Sequence, residues 1–229
     1  MRRGILFFVA ICLATYLIHR WISHRNIFID DKSHRWYIES YERPYQIRET
    51  EIEKSVERVL KDSKNKTSIV PLLDEEECAL VIFEAERYAK ENGWTRKRHE
   101  NYPTTDLPVS ELVRAYALVM SRVHHRIIPK IEELFEFDKE RIDVHDMFLI
   151  RYTAGGQSAL ENHQDGSLFS FIMPLNDEFE GGGTEFRGKV VKPKVGEVFL
   201  FCGQHFHKGM AVTKGTRYVL AGFFHVVED

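Results

Sequence analysis

The triplet His163-Gln164-Asp165, with an apolar segment at residues 167–175 directly behind it, decides how the rest of this chain is interpreted. Side chains two positions apart on an extended segment lie on the same side, so this histidine and this aspartate can face one point in space. Another histidine follows about forty residues later, at His205 or at His207. The triplet and one later histidine therefore predict three ligands of a single metal ion.

The region around the triplet has the pattern of a β structure. From residue 142 onward helical periodicity is absent, and short apolar segments alternate with turns marked by glycine or Asn176-Asp177. The predicted strands are residues 144–152, 167–175, 183–186, 189–191, 197–202, 209–212 and 216–226. Short strands at regular spacing predict a sandwich, a jelly roll or a barrel, with the triplet at the mouth of the sheet.

Two helices are predicted ahead of these strands. Asp74 is a candidate N-cap with Glu77 three residues later, as in a capping box, and Gly93 ends the helix that follows. A second helical pattern runs over residues 109–128, and Pro129 is expected to end or kink it. Helices that precede a set of strands favour the α+β class, with the helices on one face of a sheet.

The connecting segments allow more than one interpretation. Residues 95–106 form a polar loop that either lines a substrate cleft or is an ordinary exposed loop. Residues 23–66 are expected to be a stalk and lead-in, in which a solvated linker helix near residues 51–61 is the favoured interpretation. The pair His124-His125 is expected to be at the surface or in packing contacts, without a metal.

Composition excludes several classes of function. The chain has 229 residues and a net charge of -3, which does not indicate nucleic-acid binding. Its three cysteines lack the spacing of a zinc module or a disulfide framework. The hydrophobic content of 43% is ordinary for one globular domain with an appendage.

The N-terminus predicts a membrane anchor. Arg2-Arg3 precede fifteen uncharged residues at positions 4–18, which is typical of an uncleaved signal-anchor or, as the alternative, of a cleaved signal peptide. The expected organisation is an anchor at residues 1–22, a stalk at 23–66 and a catalytic domain at 67–229. The sequon Asn65-Lys66-Thr67 favours a single-pass protein with its catalytic domain in the ER or Golgi lumen, and secretion is the alternative.

Arg217 indicates which ligand accompanies the metal. It follows His207 by ten residues, and Lys214-Gly215 predicts a turn that pairs the two segments as neighbouring strands. Arg217 would then lie deeper in the same pocket, where a guanidinium requires an anion. Two histidines and one carboxylate suit Fe(II) that activates O₂, so the expected anion is the distal carboxylate of a 2-oxo acid that chelates the iron. A structural salt bridge is the alternative role.

Together these motifs resemble those of a known family. The matching segments are Arg151-Tyr152 with Gly155-Gly156, His163-x-Asp165, Phe179-Glu180-Gly181-Gly182-Gly183-Thr184 with Phe186, His207-x-Gly209, and Thr213-x-Gly215-Thr216-Arg217-Tyr218. Over roughly residues 148–224 the chain resembles the prolyl 4-hydroxylase and lysyl hydroxylase branch of the 2-oxoglutarate- and Fe(II)-dependent dioxygenases.

The resemblance implies a double-stranded β-helix, or jelly roll, with a core over about residues 142–227. It implies that His163, Asp165 and His207 bind iron, with His207 preferred over His205 because of Gly209 and the interval to Arg217. Arg217 and Tyr152 would bind 2-oxoglutarate, with O₂ and ascorbate as the further small molecules. Some relatives have a tyrosine on the second strand, which reads Ser170-Phe171-Ile172-Met173-Pro174-Leu175 here, so Ser170 or a water is expected to replace it.

The activity that follows is hydroxylation of a peptidyl proline or lysine, with succinate and CO₂ as co-products. The expected partners are a peptide substrate and, through the anchor, a membrane, whereas nucleic acid is not expected. A small-molecule oxygenase of the same fold and a non-catalytic jelly-roll binding module are the alternatives.

Overall fold

The computed structural model describes residues 27–30, 35–38, 51–99 and 101–227 of the chain. Its helices are α1 (Glu51–Asp62), α2 (Glu75–Asn92), α3 (Val113–Arg122) and α4 (Ile128–Phe135). Its strands are β1 (Ile27–Asp30), β2 (Arg35–Ile38), β3 (Ser68–Pro71), β4 (Asp106–Pro108), β5 (Ile142–Thr153), β6 (Leu160–His163), β7 (Phe169–Pro174), β8 (Phe179–Gly181), β9 (Thr184–Phe186), β10 (Lys189–Val191), β11 (Glu197–Cys202), β12 (His207–Gly209) and β13 (Val212–Val226). Strands β1 and β2 pair antiparallel with each other.

Two antiparallel sheets face each other in the C-terminal part of the chain. The larger has the order β3-β11-β7-β13-β5-β4, with β8 paired to β13, and the smaller has the order β10-β9-β12-β6. Strands of both sheets line one cavity, so the cavity lies between them as in a jelly roll. With helices α1–α4 in the same domain, the predicted α+β jelly roll is confirmed.

The helices cover one face of the larger sheet, and alternation along β13 shows why. Leu220 belongs to the same core as Val81 of α2 and Ile131 of α4. Its neighbours Val219 and Ala221 face the other way and line the cavity. Because successive side chains of a strand point to opposite faces, one strand serves both the helical layer and the cavity.

Helix α2 begins as predicted, with a capping box. The Glu77 backbone N–H donates to Asp74 Oδ1 at 2.8 Å, and the Asp74 backbone N–H donates to Glu77 Oε2 at 3.1 Å. Gly93 follows the last turn with φ +80°, a conformation that glycine adopts without strain. The sequence signals for both helix ends are confirmed.

The second helical segment differs from its prediction at Pro129. Helix α3 ends at Arg122, a π-helical turn covers Val123–Ile127, and α4 continues to Phe135. Proline occupies the first turn of α4, where its missing N–H would have no partner within the helix. The helical backbone therefore continues past Pro129 without ending there, and the irregularity lies in the π-helical turn directly before it.

The prediction of a solvated linker helix near residues 51–61 was wrong. Val56 and Val59 of α1 are only 5% and 2% exposed and belong to the main hydrophobic core. One narrow apolar stripe is enough to bury a helix on one side. Strands β3 and β4 also join the larger sheet, although both lie before residue 142.

The anchor predicted at residues 1–22 lies outside the described residues. Within the described part of the chain, no helix combines the length and the apolar character needed to cross a bilayer.

The predicted turn at Lys214-Gly215 was also wrong. Strand β13 runs without interruption from Val212 to Val226, and β12 pairs with β6 and β9 in the other sheet. Gly215 has φ +81° and lies opposite Phe179 of β8, next to a shift in strand register. The glycine thus allows an irregularity at the start of one long strand, which from sequence looks like a turn.

Candidate metal centre

The smaller sheet brings His163 and His207 together. His163 ends β6, His207 begins β12, and the two residues are direct partners across these antiparallel strands. Their ring centroids are 4.3 Å apart. Asp165 lies in the loop after β6, and its Oδ1 is 3.5 Å from His163 Nε2 and 3.6 Å from His207 Nε2. One ligand atom from each of the three residues lies within 4.8 Å of the others, a separation that a single metal ion can bridge.

Backbone carbonyls orient both imidazoles. His163 Nδ1 lies 2.8 Å from the Glu161 carbonyl oxygen, and His207 Nδ1 lies 2.9 Å from the His205 carbonyl oxygen. A carbonyl only accepts, so each Nδ1 carries the proton and donates it. In its neutral form each ring would therefore present the lone pair of Nε2 toward Asp165, which is the arrangement that metal-binding histidines usually have.

The electrostatics of the cluster favour the ligand form of the carboxylate. Burial by itself would raise the pKa of Asp165, but the neighbouring imidazoles of His207 and His163 and a hydrogen bond from Ser170 hold it below its ordinary value. Burial lowers the pKa of His207, which favours its neutral form. The pKa of His163 is raised instead, because burial, which alone would lower it, is outweighed by its hydrogen bond to Asp165 and the charge of that carboxylate, so a metal that binds here would displace a proton from this ring.

The sequence suggested that His205 and His207 lie on the same face of one strand, but His205 is not on that strand. It lies in the bend before β12, and its Nε2 is 3.0 Å from Ser63 Oγ. The cluster of candidate ligands contains His207 and not His205. The choice between the two histidines thus depends on the bend, which strand periodicity did not reveal.

Arg217 approaches the same cavity from the opposite sheet. It is 2% exposed and lies opposite Tyr152 in the pairing of β13 with β5. Its Nη1 donates to the Gly183 carbonyl at 3.1 Å, whereas its buried Nε has no hydrogen-bond partner among the described residues. Burial lowers the pKa of this guanidinium, and no carboxylate of the described chain offsets that cost. A structural salt bridge within the described residues is therefore not the role of Arg217.

The free Nε provides a test of whether a 2-oxo dicarboxylate fits this cavity. An arginine binds a carboxylate best through two parallel hydrogen bonds, and Arg217 has donors left for such a contact. The cavity has a volume of about 390 Å³ and contains both the three-residue cluster and Arg217 in its lining. Its size is that of a small-molecule site, so metal and co-substrate fit together.

Tyr152 also lines the cavity, beside Arg217. Its side chain is 4% exposed, and burial raises the pKa of its phenol to about 12. The hydroxyl therefore remains a hydrogen-bond donor at all physiological pH values. A Cβ at Gly209 would lie 3.2 Å from this hydroxyl oxygen, so the glycine leaves room for it.

Ser170 was expected to replace the tyrosine that some relatives have on the second strand, but its side chain has other partners. Its hydroxyl lies 2.8 Å from Ser167 Oγ and hydrogen-bonds Asp165, at the metal end of the cavity. The hydroxyls of Thr184 and Tyr152 line the cavity together with Arg217. Thr184 was not predicted from the sequence to line the cavity, although it directly follows the glycine run Gly181-Gly182-Gly183.

The loop at residues 95–106 is a cleft wall, which resolves the two interpretations that the sequence left open. The Tyr102 ring lies 5.1 Å from the His163 ring, and both line the cavity. Arg98 fixes the loop by donating to Asp106 at 3.0 Å and to Asp146 at 2.7 Å. Asp106 is fully buried, and no sequence motif had marked it.

Comparisons with known proteins agree with this geometry. Residues 147–225 match the sequence model of the 2OG-Fe(II) oxygenase superfamily. A multifunctional procollagen lysine hydroxylase and glycosyltransferase from Rattus norvegicus is 30% identical over 171 residues, covering 67% of this chain and 22% of the relative. Procollagen-lysine,2-oxoglutarate 5-dioxygenase 1 from Mus musculus is 28% identical over 172 residues, with coverages of 67% and 23%. The chain thus spans about a quarter of the length of these relatives.

Solved structures share the fold. A viral collagen prolyl hydroxylase from Paramecium Bursaria Chlorella virus-1, in complex with 2OG, has a TM-score of 0.54 at 18% identity, covering 72% of this chain and 97% of its own. A prolyl-4-hydroxylase from Pseudomonas putida has a TM-score of 0.55 at 16% identity, with coverages of 76% and 100%. Residues 147–225 therefore belong to the 2OG-Fe(II) oxygenase superfamily, and the chain is similar in sequence to procollagen lysine hydroxylases and in fold to prolyl hydroxylases.

Proposed function

We propose that this chain is an Fe(II)- and 2-oxoglutarate-dependent dioxygenase that hydroxylates a lysine or proline side chain of a peptide. The superfamily implies Fe(II), 2-oxoglutarate and O₂. The observation that carries the proposal is one cavity with His163, Asp165 and His207 in its lining, together with a buried arginine whose Nε has no partner among the described residues.

In this proposal the residues have separate tasks. His163 and His207 would hold the iron through Nε2, and Asp165 would hold it through a carboxylate oxygen. Arg217 holds the distal carboxylate of 2-oxoglutarate, and the Tyr152 hydroxyl is a further donor beside it. Bound iron supplies the oxidative chemistry that converts 2-oxoglutarate and O₂ into succinate and CO₂ while the substrate is hydroxylated.

The wall formed by residues 95–106 completes the site in this proposal. Tyr102 covers one side of the His163 ring and is 37% exposed, so a substrate side chain can contact its free surface. Aromatic and aliphatic side chains, which include Phe148, Ile150 and Phe223, line the same cavity as the three-residue cluster and make that part of it apolar. The names of the matched relatives, procollagen lysine hydroxylases and collagen prolyl hydroxylases, support a peptidyl lysine or proline as the substrate.

The proposed location is a lumenal compartment, with residues 1–22 as the membrane anchor. The uncharged run at residues 4–18 supports this location, as does the sequon at Asn65, which lies on an exposed turn. Ascorbate is proposed as the reductant that sustains turnover.

The test is turnover of labelled 2-oxoglutarate by the full chain with Fe(II), O₂, ascorbate and pools of lysine- or proline-containing peptides. We expect succinate formation that a peptide pool stimulates, and a mass increase of one oxygen in that peptide. Stimulation by small molecules but by no peptide would favour a small-molecule oxygenase. No succinate under any condition, with or without peptide, would favour a non-catalytic binding module.

A further inference from the structure

The short turn after α1 contacts the bend that precedes His207. Ser63, the first residue of the turn Ser63–Asn65, is fully buried, and its Oγ lies 3.0 Å from His205 Nε2. The two residues are 142 positions apart in sequence. Residue 63 also lies well before the segment 147–225 that matches the superfamily. The contact is therefore a feature of this chain that the family match does not describe.

His205 connects this turn to the metal centre through its own backbone. Its carbonyl oxygen accepts the hydrogen bond from His207 Nδ1 at 2.9 Å. A hydrogen bond at Nδ1 sets both the tautomer and the rotation of a ligand imidazole, and so the direction of Nε2. Any movement of the His205 backbone would therefore turn the ring that faces Asp165.

The backbone around His205 has little support from the β ladder. His205 lies between β11 and β12, where its own N–H donates to the Cys202 carbonyl at 3.1 Å. The adjacent Phe206 is 56% exposed and gives the bend little packing. The ring of His205 contacts Phe186 edge-on at 5.8 Å and is hydrogen-bonded to Ser63. The neighbouring Gln204 supports the same bend, because its side chain donates to the Asp165 carbonyl at 2.6 Å and its own carbonyl accepts from Gln164 Nε2. On the side of the bend that carries the His205 ring, the contacts with Ser63 and Phe186 hold the carbonyl in place.

We propose that Ser63 and His205 are positioning residues for His207: the Ser63 hydroxyl holds the His205 ring, and the His205 carbonyl then aims His207 Nε2 at the metal. The inference rests on the proposed metal centre. According to this inference, metal affinity also depends on residues that are not ligands, and one of them, Ser63, lies in the turn after α1.

The test measures Co(II) affinity of the metal-free full chain by calorimetry, without turnover. Ser63→Ala removes the hydroxyl, and His205→Phe keeps a ring against Phe186 but removes both nitrogens. Each variant should weaken Co(II) binding about 10-fold, as loss of the groups that orient metal ligands usually does. The double variant should lose no more than about 2-fold beyond either single variant, because both changes break the same contact.

Arg187→Ala is the matched control. Arg187 Nη1 donates to Asn65 Oδ1 at 3.0 Å and to the Lys64 carbonyl, so it holds the same turn without contacting the Ser63–His205 pair. It should leave Co(II) affinity within about 2-fold of the wild type. The visible absorption of bound Co(II) should change in Ser63→Ala and His205→Phe but not in Arg187→Ala, because only the first two reorient a ligand.

Three results would overturn the inference: wild-type affinity in either single variant, additive losses in the double variant, or an equal loss in Arg187→Ala. His207→Ala separates this inference from the proposed centre. If His207→Ala abolishes Co(II) binding while Ser63→Ala does not weaken it, the metal centre stands and the positioning role fails. If His207→Ala binds Co(II) like the wild type, the metal centre itself is refuted.

Discussion

The two ends of the cavity are built in different ways. The metal end uses the short strands β6 and β12 and the loop that carries Asp165, and each histidine has a carbonyl partner for its second nitrogen. The other end uses the long strands β5 and β13, which place Tyr152 beside Arg217. There the Nε of Arg217 is buried and has no partner in the described chain.

This difference shows which interactions the chain supplies by itself. At the metal end the protein orients its ligands before any metal binds. We therefore expect this end to bind the metal ion tightly. At the arginine end the protein leaves a buried donor unsatisfied, which costs free energy until an anion binds. Selectivity for the co-substrate should therefore depend on the arginine end, and affinity for the metal ion should depend on the metal end.

The largest effect is expected from His163→Ala. It removes one of three ligand atoms, so Fe(II) or Co(II) affinity should fall by more than about 100-fold, beyond the loss typical of groups that only orient ligands. Calorimetry on the metal-free protein measures this. His145→Ala is the matched control, because His145 lines the same cavity outside the three-residue cluster. Equal affinities in the two variants would contradict the assignment of the metal end.

A smaller effect, confined to the arginine end, is expected from Gly182→Ala. A Cβ at Gly182 would lie 2.7 Å from Phe179 Cε2 and 3.1 Å from Arg217 Cδ, at φ +60°. The displaced arginine should raise the KM for 2-oxoglutarate about 10-fold, the equivalent of about one good hydrogen bond. Metal affinity should not change.

Gly188→Ala is the control for Gly182→Ala. Gly188 also has a positive φ, +79°, but nothing lies within 4 Å of its Cβ position. It should therefore share the backbone strain and leave the KM for 2-oxoglutarate unchanged. A rise in KM in both variants would mean that backbone strain, and not contact with Arg217, causes the effect.

The smallest effect is expected from Tyr152→Phe. Because burial raises the pKa of this phenol to about 12, the hydroxyl is a neutral donor, and its loss removes one uncharged hydrogen bond. The KM for 2-oxoglutarate should rise about 3- to 10-fold. Tyr218→Phe is the comparison, since the Tyr218 hydroxyl donates to Glu86 and does not line the cavity. An unchanged KM in Tyr152→Phe would show that the Tyr152 hydroxyl does not contribute to 2-oxoglutarate binding.

Local patterns in the sequence predicted the elements that depend on neighbours in the chain. A short apolar run marked β11 at Glu197–Cys202, and Asp74 with Glu77 marked the start of α2. The spacing of His163 and Asp165 is equally local, so the triplet could be recognised before the fold was known. Arg217 was identified because a buried arginine has few uses other than binding an anion.

Pairings between distant segments could not be predicted. His207 was expected on a strand beside Arg217, but the two residues lie in facing sheets and meet across the cavity. The apolar stripe of α1 does not show which surface Val59 packs against, and nothing near residue 63 shows that Ser63 contacts His205. These contacts depend on the order of strands in the sheets, which periodicity does not encode.

The central claim is that a metal ion held by His163, Asp165 and His207 binds one end of a 2-oxo dicarboxylate and that Arg217 binds its other end. Calorimetry of the Fe(II)-loaded protein, under anaerobic conditions, should compare 2-oxoglutarate with 2-oxobutanoate, which lacks the distal carboxylate. The wild type should prefer 2-oxoglutarate by about 10- to 100-fold, the value of a charge-assisted hydrogen-bonded pair. Arg217→Ala should lose that preference while keeping its affinity for Fe(II). Equal binding of the two acids by the wild type, or a preference that survives in Arg217→Ala, would contradict the claim.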